Sequence, residues 1–109
     1  MITNLTDGLR PLAEFFQAVQ SDFRISKTHI AIYSSILYCW QTKGQPTPLK
    51  VFSHEIMRIA KIEACSTYHR CLKELDSFGY LKYEPSFKKN DPSSLHLLLN
   101  RSSKRTPQG

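Results

Sequence analysis

At 109 residues, the chain is long enough for one domain with a single hydrophobic core and too short for two. Hydrophobic residues make up 40% of it, which is typical of a globular protein, and no apolar run approaches the roughly 18 residues of a membrane span. The formal charge of +6 favours a polyanionic partner. Residues 50–109 hold most of that charge, with eleven Lys or Arg against six Asp or Glu.

The chain begins with MITNLTD, which lacks the basic cap and apolar run of a secretory signal. We therefore expect a cytoplasmic protein, associated with the nucleoid. The three cysteines, Cys39, Cys65 and Cys71, are odd in number and without disulfide-rich spacing, which predicts reduced thiols. We expect one domain over residues 1–99 and a disordered basic tail over residues 100–109.

The first predicted helix covers residues 11 to 21. Pro11 fits the first helical position, and one apolar stripe follows with spacing i, i+3, i+4, i+7. Most of this stripe is expected in the core, although it is also a candidate surface for self-association. It consists of Leu12, Phe15, Phe16 and Val19.

The second predicted helix begins after Ser26, whose side chain can cap the amides of Thr28 or His29. It ends before Gly44, because the prolines that follow bar continuation. Its apolar positions make it the expected spine of the core. They are Ile30, Tyr33, Ile36, Leu37 and Trp40.

The second half of the sequence predicts a helix-turn-helix followed by a β-hairpin. A short edge strand over residues 49–52 precedes a two-turn helix capped by Ser53, then a three-residue turn and a longer helix over residues 64 to 77. Gly79 closes that helix in a left-handed conformation. Strands over residues 80–84 and 95–99 flank a basic loop, and this order predicts a mainly α, small-β winged helix-turn-helix with an extra N-terminal helix and a two- or three-stranded wing.

The longer helix is the predicted recognition helix for the major groove of DNA. Its inner face is expected to bury Tyr68, Leu72, Leu75 and either Cys71 or Phe78. Arg70 can pair bidentately with guanine or contact phosphate, and Lys73 is expected on phosphate. The predicted DNA-binding residues are Ser66, Thr67, His69, Arg70 and Lys73 on this helix, with Lys88 and Lys89 at the tip of the wing.

Two chemical alternatives use the same residues. Cys65 and His69 have the i, i+4 spacing of two zinc ligands, with Cys71 and His54 as recruits, but no CxxC or paired-His motif completes a tetrahedral set. Cys65 with His69 as base is also a conceivable nucleophile, but no third group orients it. We therefore predict no cofactor, no metal and no enzymatic activity.

Residues 15–23 (FFQAVQSDF), 25–31 (ISKTHIA) and 67–75 (TYHRCLKEL), with Gly79 and Tyr80, carry a resemblance to a known group. Over about residues 12–99 the chain resembles small winged-helix proteins of bacterial conjugative transposons, and among them the excision accessory proteins, or excisionases. The resemblance implies a sequence-specific duplex-DNA-binding protein that directs a tyrosine recombinase to excise a mobile element, with copies of itself on the DNA. Regulation of mobile-element transcription is the close alternative, and a winged-helix module for protein contacts is the alternative of another class.

Overall fold

The computed structural model describes residues 2–86 and 91–98, with side chains from residue 10 onward. These described residues form four helices, α1 (Ile2–Val19), α2 (Lys27–Thr42), α3 (Ser53–Ala60) and α4 (Cys65–Ser77), and three strands, β1 (Leu49–Val51), β2 (Leu81–Glu84) and β3 (Ser93–Leu97). The architecture is mainly α with a small antiparallel sheet. Among the described helices, none has both the length and the apolarity needed to cross a bilayer.

Helix α1 differs from the prediction at its start. It begins at Ile2, and Pro11 lies inside it rather than at its first position. A proline lacks the amide that would bond four residues back, so the helix passes Pro11 with one backbone hydrogen bond missing. Beyond Pro11 the residues of the predicted apolar stripe are buried to different degrees. Phe15 is buried, Leu12 and Val19 are half-buried, and Phe16 is 39% exposed.

Helix α2 is the spine of the core, as predicted, and packs against α1, α3 and α4. Its start at Ser26 is confirmed, because the Ser26 hydroxyl accepts the His29 amide. Tyr33, Ile36, Leu37 and Trp40 are buried along it, and the Trp40 indole donates to the Pro46 carbonyl beyond its end. Fully burying such side chains contributes about 1.5–3 kcal/mol each, so this helix organises the fold.

Helix α3 also begins differently from the prediction. Ser53 is its first helical residue, and Phe52 takes the cap position without a side-chain cap. The Glu55 carboxylate accepts the Phe52 amide at 3.4 Å instead. Partial burial opposes ionisation of Glu55, but hydrogen bonds from Lys43 and Phe52 lower its pKa overall. The Glu55 carboxylate therefore supplies a side-chain hydrogen bond at the start of α3, where the sequence predicts a cap from Ser53.

The sheet has the order β1-β3-β2, with both pairings antiparallel. The predicted edge position of β1 is confirmed, although Phe52 lies outside it. The strand predicted over residues 95–99 is shifted to Ser93–Leu97, because β3 begins where Val51 of β1 pairs with Ser93. Leu95 pairs with Leu49 on one side and Tyr83 on the other, so the sheet turns an apolar face to the helices.

Candidate nucleic-acid interface

Helix α4 follows α3 after a four-residue turn and leads directly into β2. Its end matches the prediction at Gly79, which has φ +93°. The Gly79 amide donates to the Asp76 carbonyl, and the Tyr80 amide donates to the Leu75 carbonyl, both at 3.0 Å. These two bonds satisfy the last carbonyls of the helix and aim the chain into the strand.

The inner face of α4 is fully committed to the core. Tyr68, Cys71, Leu72 and Leu75 are all at most 2% exposed. Of the two alternatives for the last core position, Cys71 is buried, whereas Phe78 is half-buried. Burial raises the pKa of Tyr68 and of Cys71, so neither group ionises readily. These contacts fix the rotation of α4 about its axis and therefore decide which residues face solvent.

The outer face of α4 carries the predicted binding residues. Ser66, Arg70 and Lys73 are exposed, and Thr67 and His69 are partly buried. Neither the Arg70 nor the Lys73 side chain forms a hydrogen bond or ion pair with another described residue. Ser77 is exposed as well and was not among the predicted site residues, but it follows Ser66, Arg70 and Lys73 at spacing i, i+4, i+7, i+11 on the same face of the helix. We call Ser66, Arg70, Lys73 and Ser77 the outer row.

His69 lies beside the outer row in a defined orientation. Its Nδ1 is 2.9 Å from the carbonyl oxygen of Cys65, one turn earlier in α4. A carbonyl only accepts, so Nδ1 carries a proton and donates it. In the neutral ring Nε2 is then left as an acceptor, and His69 can accept from a base amine but needs a second proton to donate to phosphate.

The turn before α4 adds charges that sequence reasoning left out of the site. Arg58, near the end of α3, and Lys61 in the turn are exposed, and neither has a described hydrogen-bonding partner for its side chain. Lys61 has φ +63°, an uncommon conformation for a residue other than glycine. Glu63 is exposed as well and is the single acid among these cations in the described turn. The signal for these residues was their position beside α4 in the sequence.

The outer face of the sheet is mixed in charge. Lys82 on β2 is exposed and pairs in register with His96, whose Nε2 lies 3.3 Å from the Glu84 carboxylate. Two of the predicted binding residues, Lys88 and Lys89, and the predicted basic tail lie outside the described residues. Among the described residues, the predicted site therefore lies on α4.

The structure does not bring the zinc ligands of the Cys65 and His69 hypothesis together. Cys65 is exposed and Cys71 is buried, so the two thiols lie on different faces of α4. The described hydrogen-bonding partner of the Cys65 thiol is the Met57 sulfur at 4.0 Å, and His69 Nδ1 bonds to the Cys65 carbonyl. In the hypothesis of a nucleophilic thiol His69 is the base, but its Nδ1 bonds to the Cys65 carbonyl.

A different trio comes together in the structure. The ligand atoms of His29, Cys71 and Glu74 lie within 4.8 Å of one another. However, the Ser26 amide donates to His29 Nδ1 at 2.9 Å, so the proton of the neutral ring is on Nε2, which lies 2.7 Å from Glu74 Oε1. A metal bound at Nε2 would move the proton of the neutral ring to Nδ1. Nδ1 could then no longer accept the Ser26 amide. The chemistry of this trio fits a hydrogen-bonded link between α2 and α4 rather than a metal centre.

Comparison with protein-family models, with curated proteins and with solved structures finds no match for this chain.

Proposed function

We propose that the chain is a winged helix-turn-helix that binds duplex DNA with the outer row of α4 in the major groove. The observation that carries the proposal is the division of α4 into two faces. One face is buried in the core, and the other presents Arg70 and Lys73 with no described partner. Cations without a described partner on a rigid helix suit phosphate and guanine, because the fold already fixes the backbone that carries them.

The surroundings of α4 support the same proposal. Helix α3, a short turn, α4 and an antiparallel pair of strands follow in the order of a winged helix-turn-helix. Arg58 and Lys61 extend the positive charge of the outer row toward α3. The connection between β2 and β3, with Lys88 and Lys89, would serve as the wing against the minor groove or the flanking phosphates.

The proposed biological role is to direct a tyrosine recombinase toward excision of a mobile element, without cutting DNA itself. Its support is the resemblance stated above, together with a compact fold that can hold bent DNA through phosphate contacts. Regulation of mobile-element genes uses the same interface. Excision and transcription assays in cells with and without the chain, and with and without the recombinase, separate the two roles.

Binding is tested by fluorescence anisotropy with labelled duplexes over a series of salt concentrations. We expect a complex at low salt, and Arg70→Ala and Lys73→Ala should each weaken it and reduce the salt slope by up to about one unit. Lys50→Ala is the matched control, because Lys50 is an exposed lysine on β1, at the opposite edge of the sheet from β2. No complex with any duplex at low salt would refute the proposal, and equal effects of all three substitutions would refute the assignment to α4.

A protein-binding role is favoured by one other observation. Phe23 is 96% exposed in the connection between α1 and α2, and Tyr38 is 59% exposed on α2. Exposed aromatic rings are characteristic of protein contacts. Phe23→Ser tests this role: recruitment of the recombinase should fall while DNA affinity stays unchanged.

A further inference from the structure

Glu63 is an acid in the turn that leads into the proposed DNA-binding helix. It lies directly before Ala64, the cap residue of α4, and it is exposed. A carboxylate at this place would usually be explained as a helix cap. Here the start of α4 has no side-chain cap bond, and Glu63 forms no hydrogen bond or ion pair with another described residue. Capping and pairing within the described chain therefore do not account for it.

The electrostatic setting makes this acid costly for a protein that binds DNA. Lys61, Arg70 and Lys73 are exposed on the same turn and helix and attract phosphate, whereas Glu63 repels it. The residues at the start of a recognition helix approach the base edges most closely. A carboxylate there can only accept hydrogen bonds, and the cytosine N4 amine is the major-groove donor that Glu commonly reads.

We propose that Glu63 is a specificity-determining residue that accepts a hydrogen bond from a cytosine amine in the DNA site. This inference rests on the proposed function. Its negative charge weakens binding to every sequence through repulsion of phosphate. At a site with cytosine in the right place, the hydrogen bond compensates for that repulsion. The acid therefore acts by lowering the affinity for competing DNA as much as by recognising its own base.

The test is selection of bound duplexes from a pool with a randomised central segment, by the wild-type chain and by Glu63→Gln. Gln has the same shape without the charge and pairs with the N6 and N7 of adenine. We expect a cytosine preference of roughly fivefold or more at one position of the wild-type site, replaced by adenine in Glu63→Gln. Affinity for unselected duplex should rise severalfold in the variant, and its salt slope should become steeper by up to about one unit.

Glu14→Gln is the matched control, since it makes the same change in net charge on α1. If Glu63→Gln and Glu14→Gln alter affinity equally and leave the selected sequence unchanged, the acid is only a solvated charge and the inference is overturned. Complexes formed by all three proteins leave the proposed function standing in that case. The absence of a complex from any of them, the wild-type chain included, overturns both.

Discussion

Nε2 of His29 lies 2.7 Å from Oε1 of Glu74, and this hydrogen bond joins the first turn of α2 to α4. The same imidazole accepts the Ser26 amide at Nδ1, so one buried ring caps α2 and holds α4. The His29 side chain is 5% exposed, whereas that of Glu74 is 37% exposed. The link therefore lies at the edge of the core, with its donor inside and its acceptor reaching water.

Glu74→Ala should lower the free energy of unfolding by roughly 1–2 kcal/mol, because the buried His29 N–H loses its acceptor. Urea denaturation followed by circular dichroism measures this. Lys73→Ala is the control on the neighbouring residue: it should change stability by less than about 0.5 kcal/mol while weakening DNA binding. Equal stability of the two variants would show that the His29–Glu74 bond has no structural weight.

Acid should destabilise the protein through Asp22. Its carboxylate accepts hydrogen bonds from Nε and Nη2 of Arg24, at 2.8 and 2.9 Å, and from the Tyr80 hydroxyl at 2.7 Å. The Arg24 bonds first, and then the Tyr80 bond, hold the pKa of Asp22 well below its usual range. Since the folded-state pKa is depressed, Asp22 stabilises the fold above the unfolded value of about 4, and this stabilisation declines as pH falls below it.

Tyr80→Phe removes one of those hydrogen bonds and tests this pH dependence. The variant should be less stable at neutral pH by roughly 1.5–3 kcal/mol, the usual range for a bond to a charged group, and the difference should shrink only well below about pH 4, where Asp22 becomes protonated in the folded state. Urea midpoints measured at a series of pH values provide the readout. Tyr38→Phe, at an exposed tyrosine, is expected to show no pH-dependent difference. A constant gap between Tyr80→Phe and wild type down to strongly acid pH would contradict the role of Asp22.

The three thiols should differ sharply in reactivity. Cys65 is exposed, whereas Cys39 and Cys71 are buried, and burial raises the pKa of both buried thiols. Only the thiolate is nucleophilic. A chromogenic disulfide reagent at neutral pH should therefore modify one thiol rapidly in the native protein and all three after unfolding. Two or more fast thiols in the native state would be inconsistent with this burial.

Cys65→Ser identifies the fast thiol, because it should abolish the rapid phase. The same assay reports on DNA binding, since Cys65 is the first residue of α4. Saturating duplex should slow the rapid phase in the wild-type chain and leave it unchanged at a salt concentration that dissociates the complex. Full reactivity of Cys65 in a demonstrated complex would place DNA elsewhere on the surface.

The turn before α4 stores backbone strain at Lys61. Its φ of +63° costs a side chain about 1 kcal/mol that glycine does not incur. Lys61→Gly should therefore be more stable than Lys61→Ala by roughly 0.5–1 kcal/mol in thermal or urea unfolding. Both variants lose the same charge and should lose DNA affinity equally. The difference in stability between them therefore reports the backbone effect alone. A less stable Lys61→Gly would show that the left-handed conformation carries no strain.

Short-range sequence signals, such as helix caps, predicted more of the fold than of the candidate site. The start of α2 and the end of α4 were predicted correctly because Ser26 and Gly79 act through backbone groups within a few residues of themselves. The strand predicted over residues 95–99 lies two residues earlier, at Ser93–Leu97, because pairing with β1 sets where it begins. The start of α1 was predicted wrongly, because proline is typical of the first helical position, whereas Pro11 lies inside this helix.

The sequence by itself determined the two faces of α4, because helical spacing alone separates Tyr68 and Leu72 from Arg70 and Lys73. Only the tertiary structure decided the partners of the polar groups. His29 meets Glu74 across 45 positions, and Asp22 meets Tyr80 across 58. Periodicity describes one element at a time, whereas these bonds depend on how elements pack against one another. The burial of His29, and the lack of a described side-chain partner for Glu63, could therefore be recognised only in the folded chain.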